Sequence, residues 1–104
     1  MTTTLQSQLR TYFDGTGFDR WSAIYGHSPL SSIRQSIREG HARMLAQAGG
    51  WLAEHGNGQT LLDAGCGTGL FSVAMAKRGY QVTAIDIAPR MIVAAQRAAQ
   101  EAGV

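Results

Sequence analysis

At 104 residues, 44% of them hydrophobic and 15% charged, the chain is long enough for one small domain and shows no sign of disorder. The net charge of +2 comes from scattered basic residues, without the Lys or Arg run that follows a phosphate backbone, which disfavours nucleic acid as a partner. No apolar stretch is long enough to cross a membrane and no secretory signal pattern opens the chain, so we expect a cytoplasmic protein.

The first 58 residues predict a helical arm that begins with two short segments. Apolar side chains recur at helical spacing over residues 5–13, and the run Asp14-Gly15-Thr16-Gly17 interrupts them. A second apolar stripe follows over residues 18–25 and ends before Gly26 and Pro29. We therefore expect two helices separated by a glycine-containing break.

A longer third helix is expected to complete the arm. Ser32 and Gln35 have the spacing of a capping box, which predicts where this helix begins. Gly49, Gly50 and the Gly56-Asn57-Gly58 turn predict its end. The apolar positions expected to share one face are Ile33, Ile37, Met44, Leu45, Ala48, Trp51 and Leu52.

From residue 59 onward the pattern predicts strand, helix, strand and helix. The predicted ranges are 60–64, 70–78, 81–86 and 91–102, with Pro89 in the first turn of the last helix. A strand–helix–strand connection of this kind joins parallel strands. The order therefore predicts one βαβα unit.

A glycine loop joins the first predicted strand to the helix that follows it. Gly65, Gly67 and Gly69 alternate with other residues, and their lack of a side chain lets the backbone turn sharply beside a ligand. Asp63 lies just ahead of this loop. Asp86 lies 21 residues after Gly65, near the ~20-residue offset at which an acid reaches a ribose hydroxyl. The spacing predicts a nucleoside cofactor site.

Leu70 decides which nucleoside the loop suits. A dinucleotide fingerprint, G-x-G-x-x-G, needs glycine at that position, which disfavours an NAD-dependent oxidoreductase. The run D-x-G-x-G-x-G resembles instead the first motif of class I methyltransferases, which implies S-adenosyl-L-methionine as the cofactor. Asp63 would then place negative charge near the cationic amino acid end of that cofactor. A glycine-rich turn without a ligand is the alternative, which the two acids at their spacings disfavour.

The remaining candidate groups favour no metal site. His27, His41 and His55 have no ligand-like spacing, so no metal is expected. The single Cys66 cannot form an internal disulfide, which fits a reducing compartment. Its place inside the glycine loop explains a small residue there without a nucleophilic role.

The arm resembles that of a narrower family. Residues 12–21, YFDGTGFDRW, together with 24–26 and 37–41, are similar to the N-terminal arm of the magnesium-protoporphyrin O-methyltransferase family of chlorophyll and bacteriochlorophyll synthesis. The resemblance continues through residues 63–69 and 86–91. It implies an α/β, Rossmann-like class I methyltransferase fold.

In that fold the chain would comprise two parts. Residues 1–58 would be the arm that caps the active site, and 59–104 the first half of the cofactor-binding domain, truncated to its first βαβα unit. The chain stops just after Gly103, where a third strand would begin, and two strands alone are marginally stable. We therefore expect that a C-terminal half is missing, and that residues 1–104 alone bind cofactor poorly and are inactive.

The resemblance also implies roles for individual residues in the cofactor site. Asp86 would take the ribose hydroxyls, and Ile87 and Met91 would flank the adenine, although ordinary helix-to-sheet packing explains that pair equally well. The others would line the amino acid and ribose side of the cofactor. The implied site residues are Asp63, Gly65, Gly67, Gly69, Asp86, Ile87 and Met91.

The implied acceptor is a propionate carboxylate of magnesium-protoporphyrin IX. By analogy with Glu, at about 4.3, the propionate is ionised near neutral pH, so the enzyme's task is to position it and exclude water. Tyr25 would act from the closing arm, unless it is simply a core aromatic. Arg34 and Arg38 would pair with the second propionate, unless they are solvated.

Two other functions remain open from sequence. A methyltransferase for another small acceptor, such as a quinone precursor, would have the same cofactor loop. A non-catalytic fragment would bind the cofactor without chemistry. A hydrophobic porphyrin substrate also allows peripheral contact with a photosynthetic membrane, although no amphipathic basic helix requires it.

Overall fold

The computed structural model describes residues 4–26, 29–56 and 58–104. Asn57 of the predicted turn and His27, one of the three histidines, lie outside the described residues. The elements run in the order α1 Leu5–Asp14, α2 Thr16–Tyr25, α3 Ser32–His55, β1 Thr60–Ala64, α4 Leu70–Lys77, β2 Gln81–Ile85 and α5 Pro89–Ala102. This order confirms the predicted fold class, a βαβα unit that follows three helices.

The two strands pair in parallel, as the sequence predicts. Their register runs from Thr60 opposite Gln81 to Ala64 opposite Ile85. Burial alternates along both strands, so one face of the sheet is covered and the other is exposed. Asp63 lies on the covered face. Because parallel strands end at the same edge, the glycine loop after β1 and the turn after β2 lie side by side.

Backbone hydrogen bonds continue the strand pairing into the glycine loop. The amides of Gly65 and Cys66 both donate to the Ile85 carbonyl, at 2.8 and 2.9 Å. The predicted end of β2 at Asp86 is wrong by one residue, since the strand ends at Ile85. Asp86 follows the ladder directly, and its side chain binds the loop, as described below.

The core lies between α4, α5 and the arm. Met75 of α4 is 2% exposed and Met91 of α5 is 4% exposed. Gly69 allows α5 to approach closely, because an added Cβ there would lie 3.0 Å from the Cβ of Ala95. The buried apolar residues are Ile24, Cys66, Met75, Ala88, Met91 and Ala95.

The break between α1 and α2 is shorter than predicted. Gly15 alone separates the two helices, and Gly17 is a buried helical residue. A Cβ on Gly17 would lie 2.7 Å from the Tyr12 ring, so this glycine serves packing between α1 and α2. The predicted interruption over residues 14–17 is therefore a single-residue corner.

The long helix α3 differs from expectation at both ends. Its N-cap is Ser31, whose Oγ accepts a hydrogen bond from the Arg34 amide, and not the predicted Ser32. The helix also continues through Gly49 and Gly50 to His55. Gly49 is buried, and a Cβ there would lie 2.9 Å from the end of the flexible Arg78 side chain and 3.3 Å from that of Met75.

The apolar face predicted for α3 is largely exposed. Ile33 is 75% exposed, Met44 64% and Trp51 61%, while Leu45, Ala48 and Leu52 are partly covered.

No helix among the described residues has both the length and the hydrophobicity needed to cross a membrane.

Candidate cofactor-binding site

The glycine loop adopts a backbone that other residues rarely tolerate. The φ angles of Gly65, Gly67 and Gly69 are +76°, +57° and +89°, all in the left-handed region. Within the described structure, an added Cβ at Gly65 would meet no atom within 4 Å, so this glycine faces open space. At Gly67 such a Cβ would lie 3.7 Å from Nε1 of Trp21 on the arm. The loop therefore presents bare backbone to a space partly covered by the arm.

Asp86 links the glycine loop to the turn before α5. Its Oδ2 accepts a hydrogen bond from the Gly67 amide and its Oδ1 one from the Ala88 amide, both at 2.9 Å. A carboxylate offers about four lone-pair positions, so two remain for further donors. The carboxylate is held in place at the carboxyl edge of the sheet, with capacity to accept a ligand's hydroxyl groups.

Asp63 is anchored from the first turn of α4. Its Oδ2 accepts a hydrogen bond from the Ser72 hydroxyl at 2.7 Å, and Ser72 is 8% exposed. Burial of a hydroxyl is tolerated only when it is hydrogen-bonded, and Asp63 supplies that partner. Ser72 thereby fixes the orientation of the carboxylate that the sequence predicts to face the cationic end of a cofactor.

A cavity of about 340 Å³ lies between the loop and the arm. This volume falls within the ~300–1,000 Å³ range of small-molecule sites. On one side it is lined by Asp63, Gly65, Cys66, Gly67, Leu70, Phe71, Asp86 and Met91. On the other side, arm residues line it, namely Phe13, Trp21, His41 and Leu45.

The structure thus brings together five of the residues predicted from sequence: Asp63, Gly65, Gly67, Asp86 and Met91. Three predicted residues do not line this cavity. Gly69 faces Ala95 of α5. Ile87 lines an adjacent hollow beside Gln6 and Arg10. Tyr25 contacts the cavity indirectly, through a hydrogen bond to His41.

Two contacts hold the arm against the βαβα unit. Nε1 of Trp21 donates a hydrogen bond to Oγ1 of Thr68 in the glycine loop, at 3.1 Å. At the start of α5, the backbone amide of Arg90 donates to the Asp14 carboxylate at 2.7 Å, and its guanidinium donates to the Asp14 carbonyl at 3.1 Å. The N-cap of α5, Ala88, makes no side-chain cap hydrogen bond, so Asp14 supplies a cap from the arm.

Sequence reasoning missed the contributions of Asp14, His41, Thr68 and Ser72. For Asp14 a signal existed, since a helix that begins at Ala88-Pro89 has no local side-chain cap. Thr68 and Ser72 gave none, because hydroxyl residues are common in loops and at helix starts.

Cys66 lies in the loop as a protonated thiol. Burial raises the pKa of this thiol, and the negative charges of Asp86 and Asp63 raise it further. A protonated thiol is a poor nucleophile. Among the described residues, no three His, Cys, Asp or Glu side chains cluster in a way that would hold a metal ion.

A larger hollow, of about 540 Å³, lies elsewhere, between α4, β2 and α5. The described residues that line it are mostly small and apolar, and none is charged. We therefore place the candidate site at the smaller cavity, where two carboxylates and open glycine backbone converge.

The fold and this site define a class I methyltransferase domain: a parallel βαβα unit with a three-glycine turn and an acid after the second strand. In agreement, residues 61–104 match the methyltransferase domain family.

The relatives make this more specific. The chain is 41% identical over 95 residues to the magnesium-protoporphyrin O-methyltransferase of Synechocystis sp., covering 89% of this chain and 41% of that enzyme. It is also 41% identical over 95 residues to the chloroplastic magnesium protoporphyrin IX methyltransferase of Arabidopsis thaliana, covering 88% of this chain and 30% of the relative.

A solved structure agrees with these sequence relatives. The crystal structure of the Synechocystis magnesium protoporphyrin IX methyltransferase with bound S-adenosylmethionine superposes with a TM-score of 0.87 at 38% identity, covering 97% of this chain and 50% of that one. The resemblance to the magnesium-protoporphyrin O-methyltransferase family is therefore confirmed. The chain spans between 30% and 41% of the length of these two curated relatives.

Proposed function

We propose that the cavity beside the glycine loop binds S-adenosyl-L-methionine, and that the full gene product transfers its methyl group to a propionate carboxylate of magnesium-protoporphyrin IX. The observation that carries the proposal is the Asp86 carboxylate, fixed by two backbone amides at the edge of the cavity. The relatives' names and the bound cofactor of the solved neighbour support the same assignment.

The residues present fit this cofactor. In the proposal, the free lone pairs of Asp86 accept hydrogen bonds from the two ribose hydroxyls. Asp63 faces the cationic amino acid end, where opposite charge is favourable. Gly65 and Gly67 leave the space that a side chain would fill. Met91, buried at the start of α5, lies against the adenine.

Gly69 and Ile87 have weaker support as cofactor contacts. Gly69 is required for the close approach of α5, which positions Met91. Ile87 lines a hollow that shares Gly65 and Asp86 with the main cavity, so it belongs to the adenine side in the proposal.

The proposed chemistry places little demand on acid–base groups. When bound, S-adenosylmethionine supplies an electrophilic methyl group to a carboxylate oxygen that is already ionised near neutral pH. The protein's part is to align the carboxylate at about 3–3.5 Å and to exclude water. Residues 1–58 would perform that part as a cap over the cofactor half-domain, 59–104. Tyr25 would contribute its hydroxyl to acceptor placement, and Arg38, beside its ring, would face the second propionate.

The proposal includes two further points of biology. The rest of the methyltransferase fold would follow residue 104 in the full gene product. An acceptor as hydrophobic as a metalloporphyrin would bring the protein to a membrane surface as a peripheral contact of a cytoplasmic enzyme.

Isothermal titration of the full gene product with S-adenosylmethionine tests the cofactor site. We expect Asp86→Ala to weaken binding by about 10- to 100-fold, since charge-assisted hydrogen bonds contribute about 1.5–3 kcal/mol. Asp19→Ala is the matched control, because Asp19 is an exposed arm carboxylate outside the cavity lining. Equal binding by the wild type and Asp86→Ala would refute the site.

A transfer assay with labelled S-adenosylmethionine tests the acceptor. Label in the ester of magnesium-protoporphyrin IX supports the proposal. Label in a quinone precursor instead would identify another small-molecule methyltransferase. Cofactor binding without transfer to either compound would identify a non-catalytic cofactor-binding protein.

A further inference from the structure

His41 on α3 has a contact that the proposed chemistry does not use. Its Nδ1 lies 2.5 Å from the hydroxyl oxygen of Tyr25 on α2. His41 also lines the arm side of the cavity, whereas Tyr25 does not. The imidazole therefore stands between the Tyr25 hydroxyl and the cavity beside the glycine loop.

The Tyr25 hydroxyl of this pair keeps its proton near neutral pH. Burial raises the pKa of Tyr25, although the positive charge of Arg38 acts in the opposite direction. In the proposal the protonated phenol donates to Nδ1, which corresponds to the His41 tautomer whose Nδ1 carries no proton. Arg38 itself lies over the Tyr25 ring, with 5.7 Å between the guanidinium carbon and the ring centroid.

The same imidazole packs against Trp21. The two rings lie edge to face with centroids 5.0 Å apart, and the Trp21 and Tyr25 rings are also 5.0 Å apart. Such edge-to-face pairs contribute specific geometry as well as buried area. Trp21 in turn donates its indole N–H to Thr68 in the glycine loop. A continuous series of contacts thus runs from α3 through α2 to the cofactor loop.

We propose that His41 is a positioning residue: it fixes the Tyr25 hydroxyl through Nδ1 and the Trp21 indole through its ring, and so sets the arm over the cofactor loop in the arrangement needed for methyl transfer. The inference rests on the proposed function. It predicts that His41 affects turnover more than cofactor affinity, because Asp63 and Asp86 are held by other partners.

Two substitutions in the full gene product separate positioning from space filling. His41→Asn keeps an acceptor oxygen near the place of Nδ1, whereas His41→Leu fills volume without an acceptor. We expect His41→Leu to lower kcat by about 3- to 10-fold, the factor that corresponds to one neutral hydrogen bond, and His41→Asn to restore most of it. The Kd for S-adenosylmethionine should stay within about twofold of wild type in both.

Tryptophan emission gives a readout independent of turnover. In a background in which Trp51 and every tryptophan beyond residue 104 are replaced by Phe, Trp21 is the remaining tryptophan. We expect His41→Leu to shift its emission to longer wavelength as the indole loses its packing, and His41→Asn to shift it less. In a Tyr25→Phe background, which removes the same hydrogen bond from the other side, His41→Asn should cause a smaller shift than it does alone, because only the ring contact with Trp21 remains to be lost.

Each outcome either supports or overturns the positioning role of His41. Wild-type kcat in His41→Leu, or equal losses in His41→Leu and His41→Asn, would overturn the positioning role. If His41→Leu fails to fold, the emission of His41→Asn with and without Tyr25→Phe still tests the pair, and additive shifts would overturn it. A wild-type protein that does not bind S-adenosylmethionine would instead refute the proposed function, which distinguishes that failure from failure of the His41 proposal.

Discussion

A methyl group added at Gly69 tests whether the glycine loop is shaped by helix packing as well as by a ligand. Gly69 has φ +89° and ψ 14°, and it is the N-cap residue of α4. A Cβ there would lie 3.0 Å from the Cβ and 3.1 Å from the Cα of Ala95 on α5. Gly69→Ala therefore combines an unfavourable backbone conformation with a steric overlap against another helix.

The two contributions can be estimated separately. A left-handed backbone costs an L-residue about 1–2 kcal/mol. Overpacking by one methyl group costs about 1–3 kcal/mol when the neighbour is backbone or a short side chain that cannot turn away. We therefore expect Gly69→Ala to lower the free energy of unfolding by about 2–5 kcal/mol.

Gly79→Ala is the matched control. Gly79 has φ +98°, and in the described structure an added Cβ there would meet no atom within 4 Å. It carries the backbone cost of about 1–2 kcal/mol without the overlap, and the reduced entropy of the unfolded chain acts equally in both variants. Urea denaturation of the full gene product, followed by circular dichroism, measures the difference. A Gly69→Ala variant no less stable than Gly79→Ala would refute the packing role of Gly69.

Two further predictions concern the arm and the loop thiol. Asp14→Ala removes the cap that the Arg90 amide receives and should lower the free energy of unfolding by about 1 kcal/mol. Asp19→Ala breaks an exposed 3.6 Å ion pair to Arg90 and should change the free energy of unfolding by less than about 0.5 kcal/mol. If Asp14→Ala and Asp19→Ala lower that free energy equally in urea denaturation, the capping role of Asp14 is contradicted. Burial, and then the charge of Asp86, raise the pKa of Cys66, so its alkylation by iodoacetamide should be slower than that of a free thiol near pH 8 and should rise at higher pH. The contribution of this protonated thiol to the free energy of unfolding is present below the ordinary thiol pKa and is lost as the pH rises through the raised pKa. An alkylation profile identical to that of a free thiol would show instead that Cys66 is exposed.

The order and most bounds of the elements follow from local signals. Strand β1 runs over Thr60–Ala64 as predicted, because an apolar run between a glycine turn and a glycine loop leaves few alternatives. The errors lie where two local signals compete. Ser31 and Ser32 both suit an N-cap, and in the structure Ser31 has the extended backbone and accepts the hydrogen bond from the Arg34 amide. Gly49 is typical of a helix end, yet α3 continues through it to His55.

The part of the site that lies a few residues beyond the ends of the strands was predictable from sequence. The loop glycines and Asp86 follow the two paired strands directly, so sequence spacing predicts their proximity. The arm contacts were not predictable in this way. Trp21 and Thr68 are 47 residues apart, and Asp14 and Arg90 are 76 apart. Such pairs depend on how the arm packs on the βαβα unit, for which no local pattern exists.

The site therefore divides into two parts that differ in how they are held. Asp86 is fixed by amides of the glycine loop and of the turn before α5, so the cofactor side needs no rearrangement to receive a ribose. The acceptor side depends on arm residues that reach the loop through the hydrogen bond between Trp21 and Thr68. Substitutions near Asp86 should therefore act mainly on cofactor affinity, and substitutions at Trp21 mainly on turnover. A Trp21→Phe variant, which keeps an aromatic ring but loses the indole N–H, should thus retain cofactor affinity in titration while kcat falls; weaker binding at unchanged kcat would reverse this division.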